Sequence, residues 1–174
     1  AATCTPSPLT LPRTVAVEAR KVVNTVSGKV VLPLGAMLMA VFGFGRAFFP
    51  AADTTFGRIA TIACIPGSWV IMAMAVLLVS GEFTRREAAI TFTLDPRRGR
   101  VLTAKAVVAV GLALATACWA LIVAGGAYLL APALAGATLP PDLEVSRITA
   151  VFGGLVFTAL AGVVLGLLTR NAVA

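Results

Sequence analysis

The chain has no histidine, only seven acidic residues and only three cysteines among its 174 residues. Without histidine, and with Cys4, Cys64 and Cys118 so far apart, the sequence offers neither a zinc-binding spacing nor a disulfide framework. The Gly28–Lys29 pair lacks the first glycine of a phosphate-binding loop. No pairing of a nucleophile with a general base is apparent either. We therefore expect no catalytic residue, no metal site and no cofactor in this chain.

Charge is also scarce, and this scarcity indicates the class of protein. Charged residues make up 12% of the chain and hydrophobic residues 59%, whereas soluble domains contain about 25% charged residues. A helix needs about 20 apolar residues to cross a bilayer. The long runs here are apolar on every face, unlike the alternating strands of a β-barrel. We predict an all-α polytopic membrane protein with four spans, at about residues 30–49, 59–80, 106–130 and 148–169.

Lysine and arginine are unevenly distributed between the two sides of this topology. An even number of spans places both termini and the 81–105 loop on one side. That side carries eleven basic residues, whereas the other carries three, namely Arg46, Arg58 and Arg147. Basic residues accumulate on the cytoplasmic side of membrane proteins, so we predict cytoplasmic termini. The net charge of +7 then reflects topology, and we expect no nucleic-acid partner.

The segment before the first span has an amphipathic pattern. Residues 1–12 lack the basic and apolar regions of a signal peptide and are predicted to be a disordered cytoplasmic lead-in. Residues 13–27 are predicted to form a helix in which Thr14, Glu18, Lys21 and Thr25 lie opposite a face made of Val15, Ala19, Val22, Val23 and Val26. We interpret it as an interfacial helix with its apolar face in the membrane. The alternative is a helix packed on a soluble domain, for which the sequence offers no candidate.

Small residues recur at every fourth position of the last span: Ala150, Gly154, Thr158, Gly162 and Gly166. Such a stripe lets a second helix approach closely. We predict that Gly154, Thr158, Gly162 and Gly166 form a helix-packing face.

Pro66–Gly67 interrupts the second span. A proline inside a helix removes one backbone hydrogen bond and bends the helix. The bend is either a packing kink or an opening for a substrate cavity, and the sequence leaves both interpretations open.

A dense group of charges, GEFTRREAAITFTLDPRRGR, separates the second and third spans at residues 81–100. Glu82 and Arg86 are spaced to pair on one face of a short helix over residues 82–94. Asp95–Pro96 then resembles an N-cap followed by the first residue of the next helix. The group is either a positive-inside anchor, for which only the number of arginines matters, or a segment with a defined geometry that docks onto a partner.

Three stretches resemble the membrane subunit of ABC-2 type ATP-binding-cassette transporters, particularly those of actinobacteria. They are EARKVVNTVSGK (18–29), GEFTRREAAITFTLDPRRGRVLTAK (81–105) and GLLTRNAVA (166–174). The resemblance implies that the first stretch belongs to the interfacial connecting helix and that residues 81–105 form a coupling segment. In that segment, residues Glu82, Arg85, Arg86 and Glu87 would face a separate ATPase subunit, and Pro96, Arg98 and Lys105 would set the start of the third span.

The resemblance also implies a function. The chain would be the permease subunit of a bacterial plasma-membrane exporter, paired with a second permease subunit in the lipid bilayer and driven by ATP hydrolysis on a nucleotide-binding partner. Members of the family usually have six spans, so this four-span chain is expected to be a partial permease. The alternative is a non-transporting four-helix membrane scaffold or accessory protein.

Overall fold

A computed structural model describes residues 11–50, 53–84, 98–136, 140 and 145–172. Among these residues the secondary structure consists of five helices: α1 (Leu11–Asn24), α2 (Val26–Phe48), α3 (Phe56–Thr84), α4 (Arg98–Ala135) and α5 (Val145–Ala172). The predicted all-α class is confirmed. Most of the predicted lead-in, residues 1–10, lies outside the described residues.

Four of these helices contain stretches long and apolar enough to cross a membrane: Val26–Phe48, Phe56–Ser80, Val101–Ala133 and Val145–Thr169. The chain is therefore a multi-pass membrane protein. Each observed stretch begins three to five residues before the predicted one, because helices start before the run of uncharged residues that marked each span. The extension matters most for the third span, which begins at Val101 and so includes Lys105.

The helices pack around α3, which contacts α2, α4 and α5. The short α1 contacts α4 and α2 at one end of this bundle. We call this the α1 end; it contains the last turns of α3 and the first turns of α4. The opposite end contains the connection between α2 and α3.

Side-chain size, rather than polarity, distinguishes the buried face of α4 from its exposed face. The exposed face carries large residues such as Leu114, Ile122 and Leu129. The buried face carries alanines three or four residues apart: Ala109, Ala113, Ala117, Ala120, Ala124, Ala127 and Ala131. Lipid is as apolar as leucine, so burying a large side chain gains little, whereas alanine allows close contact between helices.

One part of the small-residue stripe of α5 packs against α3, and the other part faces away from it. A Cβ atom on Gly162 would lie 2.7 Å from the Ala75 Cβ atom of α3, and one on Gly166 would lie 2.8 Å from the Val79 Cβ atom. Gly154, in contrast, has nothing within 4 Å of that position, and the Thr158 hydroxyl donates to the Gly154 carbonyl of its own helix at 2.8 Å. A four-residue step turns about 40° around a helix, so a stripe with this spacing cannot stay on one face.

A glycine permits the tight corner between α1 and α2. Thr25 has extended backbone angles, and its hydroxyl accepts a hydrogen bond from the Gly28 amide at 3.2 Å. The same hydroxyl donates to the Val22 carbonyl at 3.1 Å. A Cβ atom on Gly28 would overlap that carbonyl oxygen. The corner therefore requires glycine at this position.

We expect Gly28→Ala to displace α1 and to lower the free energy of unfolding by about 1–3 kcal/mol, as overpacking does elsewhere. Gly45→Ala is the matched control, because it makes the same change in the same helix at a position with nothing within 4 Å. Alanine is the better helix former at both positions, so the difference between the variants isolates the steric effect. Thermal unfolding in detergent measures it, and equal stability of the two variants would contradict the assignment of the corner.

Candidate functional site

Lys105 joins three helices at the α1 end of the bundle. Its Nζ atom donates to Glu18 Oε2 of α1 at 2.9 Å and to the Leu78 carbonyl of α3 at 2.9 Å. Both charged side chains are almost fully buried, with 5% of Lys105 and 4% of Glu18 exposed. We call Glu18, Lys21, Leu78 and Lys105 the Lys105 node. It connects the first helix to the end of the second span and the start of the third.

Lys21 completes the surroundings of the Glu18 carboxylate. Its Nζ atom lies 2.9 Å from Glu18 Oε1, one helical turn along α1, and its side chain is 40% exposed. The two carboxylate oxygens of Glu18 therefore each have an ammonium partner. Burial by itself raises the pKa of Glu18, but hydrogen bonds from Lys105 and Lys21 and the charges of both outweigh it, so that the pKa lies below its ordinary value. The carboxylate is ionised at neutral pH.

An apolar cluster contributed by the same three helices lies beside the node. Val22 of α1, Met74 of α3 and Val108 of α4 are buried together. Such a cluster excludes water, and charges in a medium of low dielectric interact more strongly than charges in water. The ion pair and the cluster therefore bind α1 to the bundle jointly.

The orientation of α1 differs from the expected one. The sequence pattern predicted that the face with Glu18 would lie away from the apolar face in the membrane, but Glu18 and Val22 are both buried against the bundle. Val17 and Val23 are instead exposed. The physical reason is Lys105, because an ammonium group buried in an apolar helix needs a counter-charge, and Glu18 provides it.

Among the predicted coupling residues, Lys105 is the one whose side-chain contacts the structure describes. Glu82 lies in the last turn of α3 and Arg98 is the first residue of α4. Arg85, Arg86, Glu87 and Pro96 lie outside the described residues, as do Asp95 and most of the predicted 82–94 helix. The structure does bring the two flanks of this segment together, since Lys105 Nζ bonds the Leu78 carbonyl at 2.9 Å.

Glu18 was not among the predicted site residues. It is 87 positions from Lys105 in the chain, and no sequence spacing connects residues that far apart. Two signals point to the pair in retrospect. Lys105 is the single charged residue of the Val101–Ala133 stretch, and Glu18 is the single acid before Asp53. Ionisable residues within membrane segments usually pair and often mark functional sites.

The opposite end of the bundle has an exposed charge cluster of a different kind. Asp53 Oδ1 lies 2.7 Å from Arg46, and Asp53 Oδ2 lies 2.9 Å from Arg58. Arg46 also donates to the Phe49 carbonyl at 3.2 Å. The Asp53 side chain is 55% exposed, and exposed ion pairs contribute little stability. This cluster ties the α2–α3 connection together without entering the bundle.

The Pro66–Gly67 step lies at a tight contact between helices. The α3 helix continues through Pro66. A Cβ atom on Gly67 would lie 2.9 Å from the Met39 sulfur of α2 and 3.1 Å from the Thr116 Cγ2 atom of α4. These distances favour the packing interpretation of this step over an opening for substrate.

A shallow apolar hollow lies between α2 and α4 at the opposite end, lined by Phe44, Ala47, Phe48, Ala127, Leu130 and Ala131. Sites for drug-sized molecules have volumes of about 300–1,000 Å³. The hollow does not enclose space even for a water molecule, so it cannot hold such a substrate.

The node responds to pH in a direction that follows from the lowered pKa of Glu18. When α1 is released, the carboxyl returns to its ordinary pKa of 4.5. Stabilisation by the pair is therefore complete above that value and is lost as the pH falls below it, through the lower pKa of the docked carboxyl. We expect α1 to stay docked from neutral pH down to about pH 5 and to be released at lower pH. A fluorophore at the exposed Val23→Cys, in a chain whose native cysteines are replaced by alanine, reports the change of surroundings when α1 is released.

The control for this titration is the same labelled chain carrying Glu18→Met and Lys105→Met, which has no carboxyl group at the node. Its fluorescence should stay constant over the acidic range. If this variant titrated like the unmodified pair, a group other than Glu18 would control docking.

No protein-family model, curated protein or solved structure matches the chain. The function therefore has to be inferred from the chain's own residues and their geometry.

Proposed function

We propose that the chain is a partial permease subunit of an ABC-2 type exporter in a bacterial plasma membrane. Both termini lie on the cytoplasmic side. It catalyses no reaction itself. A separate nucleotide-binding subunit hydrolyses ATP, and residues 81–105 couple that subunit to the spans. The single observation that carries this proposal is the Lys105 node at the flanks of the segment.

The node supports coupling because it restrains both flanks of the segment at once. Leu78 of α3 lies just before the segment and Lys105 of α4 is its last residue, and these two residues are hydrogen-bonded to each other. A partner that displaced residues 82–98 would therefore move α3 and α4 together. The Glu18–Lys105 pair would carry the same displacement to α1.

The distribution of basic residues indicates on which side of the membrane this partner would bind. With an even number of spans, eleven of the fourteen basic residues lie on the side of the termini and the 81–105 loop. The positive-inside rule places that side in the cytoplasm, where ATP is available. The α1 end, with the node, would then face the nucleotide-binding subunit.

A second permease subunit forms part of the proposal. The hollow between α2 and α4 is too small for a drug-sized substrate, and Gly67 and Gly162 lie at close contacts between helices. We therefore place the transport pathway between two permease subunits, in a homo- or heterodimer, rather than within the helices of one chain.

The tight packing of the described helices also favours the alternative function, a non-transporting four-helix scaffold or accessory protein. The two functions differ in their partners. An exporter subunit requires a nucleotide-binding subunit, whereas a scaffold of this kind requires none.

Co-purification distinguishes these functions. An exporter subunit should have a gene for a nucleotide-binding subunit beside its own, whereas a scaffold should not. The chain is produced together with that subunit, extracted in mild detergent and isolated by a tag on the chain. A stable complex is expected for the wild-type chain, and charge reversal at Arg85 and Arg86 should weaken it. Charge reversal at Arg46 and Arg58, at the opposite end, is the matched control. Absence of a complex with the wild-type chain would favour the scaffold.

A further inference from the structure

The outer side of α1 carries alternating cationic and apolar side chains. Arg13, Val17, Arg20 and Val23 follow one another at spacings of three or four residues, and each of them is exposed. Because this spacing keeps residues on one side of a helix, the four form a continuous surface turned away from the Lys105 node. We call these four residues the outer face of α1.

The exposed charges of residues 11–30 are all positive, because the Lys105 node buries the one acid among them. Glu18 is the first acid of the sequence, and Asp53 is the next. Glu18 is buried against Lys105, so the node removes the one negative charge of residues 11–30 from the surface. The exposed charges of those residues are positive: Arg13, Arg20, Lys29 and the half-exposed Lys21.

The position of α1 in the chain places this face at the membrane boundary. The helix ends at Asn24, and the first apolar stretch begins at Val26. Val26 and Val30 are exposed, as are Val17 and Val23 of α1. Exposed valines in water would be unfavourable, whereas a helix with basic and apolar residues on one surface is suited to the lipid interface.

We propose that the outer face of α1, together with Lys29, binds anionic lipid headgroups. Arg20 and Lys29 contact the acidic headgroups, and Val17 and Val23 enter the boundary between headgroups and acyl chains. The charge complementarity selects anionic over zwitterionic lipid. This site lies on the side of α1 opposite the node, and it does not depend on transport or on an ATPase partner.

Fluorescence quenching tests the proposal on the full chain in lipid nanodiscs. Cys4, Cys64 and Cys118 are replaced by alanine, and Val23→Cys carries a fluorophore. Spin-labelled phosphatidylglycerol and spin-labelled phosphatidylcholine are compared at equal mole fraction. We expect phosphatidylglycerol to quench more strongly. A basic residue near an anionic surface strengthens binding about fivefold, so Arg20→Gln combined with Lys29→Gln should abolish the preference.

Arg58→Gln combined with Arg147→Gln is the matched control, because it removes the same charge at the opposite end of the bundle, and it should retain the preference. Phosphatidylglycerol retained after detergent extraction provides a second measurement on the chain with native cysteines, in case their replacement prevents folding. Wild-type chain should retain more of it than the Arg20→Gln, Lys29→Gln variant.

Three results would overturn the proposal. Equal quenching by both lipids would mean that the face contacts lipid without selecting headgroups. Quenching by soluble iodide and by neither lipid would mean that the face lies in water. Shielding that appears only after a protein partner is added would assign the face to that partner.

Discussion

Glu18→Met is expected to lower the free energy of unfolding by about 3–5 kcal/mol, because it leaves the buried Lys105 ammonium without the carboxylate that compensates its charge. Lys105→Met is expected to cost less. In that variant Glu18 keeps its contact with Lys21, whose side chain is 40% exposed and can be solvated. Glu18→Met should therefore lower the free energy of unfolding more than Lys105→Met does, and unfolding by denaturing detergent measures the difference.

The double variant, Glu18→Met with Lys105→Met, distinguishes the effect of an uncompensated charge from the effect of losing the side chains. Replacing both members of a buried pair by apolar residues is often neutral or stabilising, so the double variant should be more stable than Glu18→Met alone. Asp53→Asn is the control at the opposite end, where Asp53 is exposed and the effect should be about 0–1 kcal/mol. Equal loss of stability in Glu18→Met and in the double variant would show that the side chains matter for reasons other than their charges.

Gly162→Leu is expected to have the other large effect, a loss of about 3 kcal/mol or more of unfolding free energy. Its Cβ atom alone would lie 2.7 Å from the Ala75 Cβ atom and 2.9 Å from the Met72 carbonyl oxygen. Backbone atoms of α3 cannot yield as a flexible side chain can, so α3 and α5 must separate. Denaturant unfolding in detergent measures the loss.

Gly154→Leu is the matched control in the same helix. Its position has nothing within 4 Å, so the leucine should extend outward with little effect on stability. Gly154 is also exposed. A large loss of stability in both variants would indicate that the outer half of the stripe packs against another chain.

Composition was enough to predict the helical class and the four spans, because crossing a bilayer imposes a length and an apolar character that can be read directly from the sequence. The extent of the helices was less predictable. Uncharged runs mark the hydrocarbon core, whereas α4 continues from Arg98 to Ala135. The predicted third span, residues 106–130, therefore leaves out Lys105, although both the helix predicted from Asp95–Pro96 and the observed α4 contain it.

Packing faces were harder to predict than spans. Every face of α4 is apolar, so polarity does not reveal the buried side, and only the spacing of its alanines does. In α5 the fourfold spacing includes Gly162 and Gly166, which lie close against α3. It also included Gly154, which turns away because the stripe winds around the helix.

The Lys105 node could not be predicted, since it depends on the tertiary arrangement of three helices. The amphipathic pattern of α1 suggested that Glu18 would face away from the membrane, and local periodicity contains no information on a lysine 87 residues away. Buried ion pairs add little net stability compared with apolar packing. We interpret the pair as a means of fixing how α1 docks, and this hypothesis fits a role in coupling.

The most direct test of coupling is ATP hydrolysis by the nucleotide-binding subunit in complex with the permease. The variant carries Arg85→Lys and Arg86→Lys, which preserves the charge but removes the planar guanidinium that pairs with carboxylates. We predict that this variant inserts normally, while permease-stimulated hydrolysis falls towards the rate of the isolated ATPase subunit. Wild-type stimulation by the lysine variant would contradict the account and leave residues 81–100 as a positive-inside anchor.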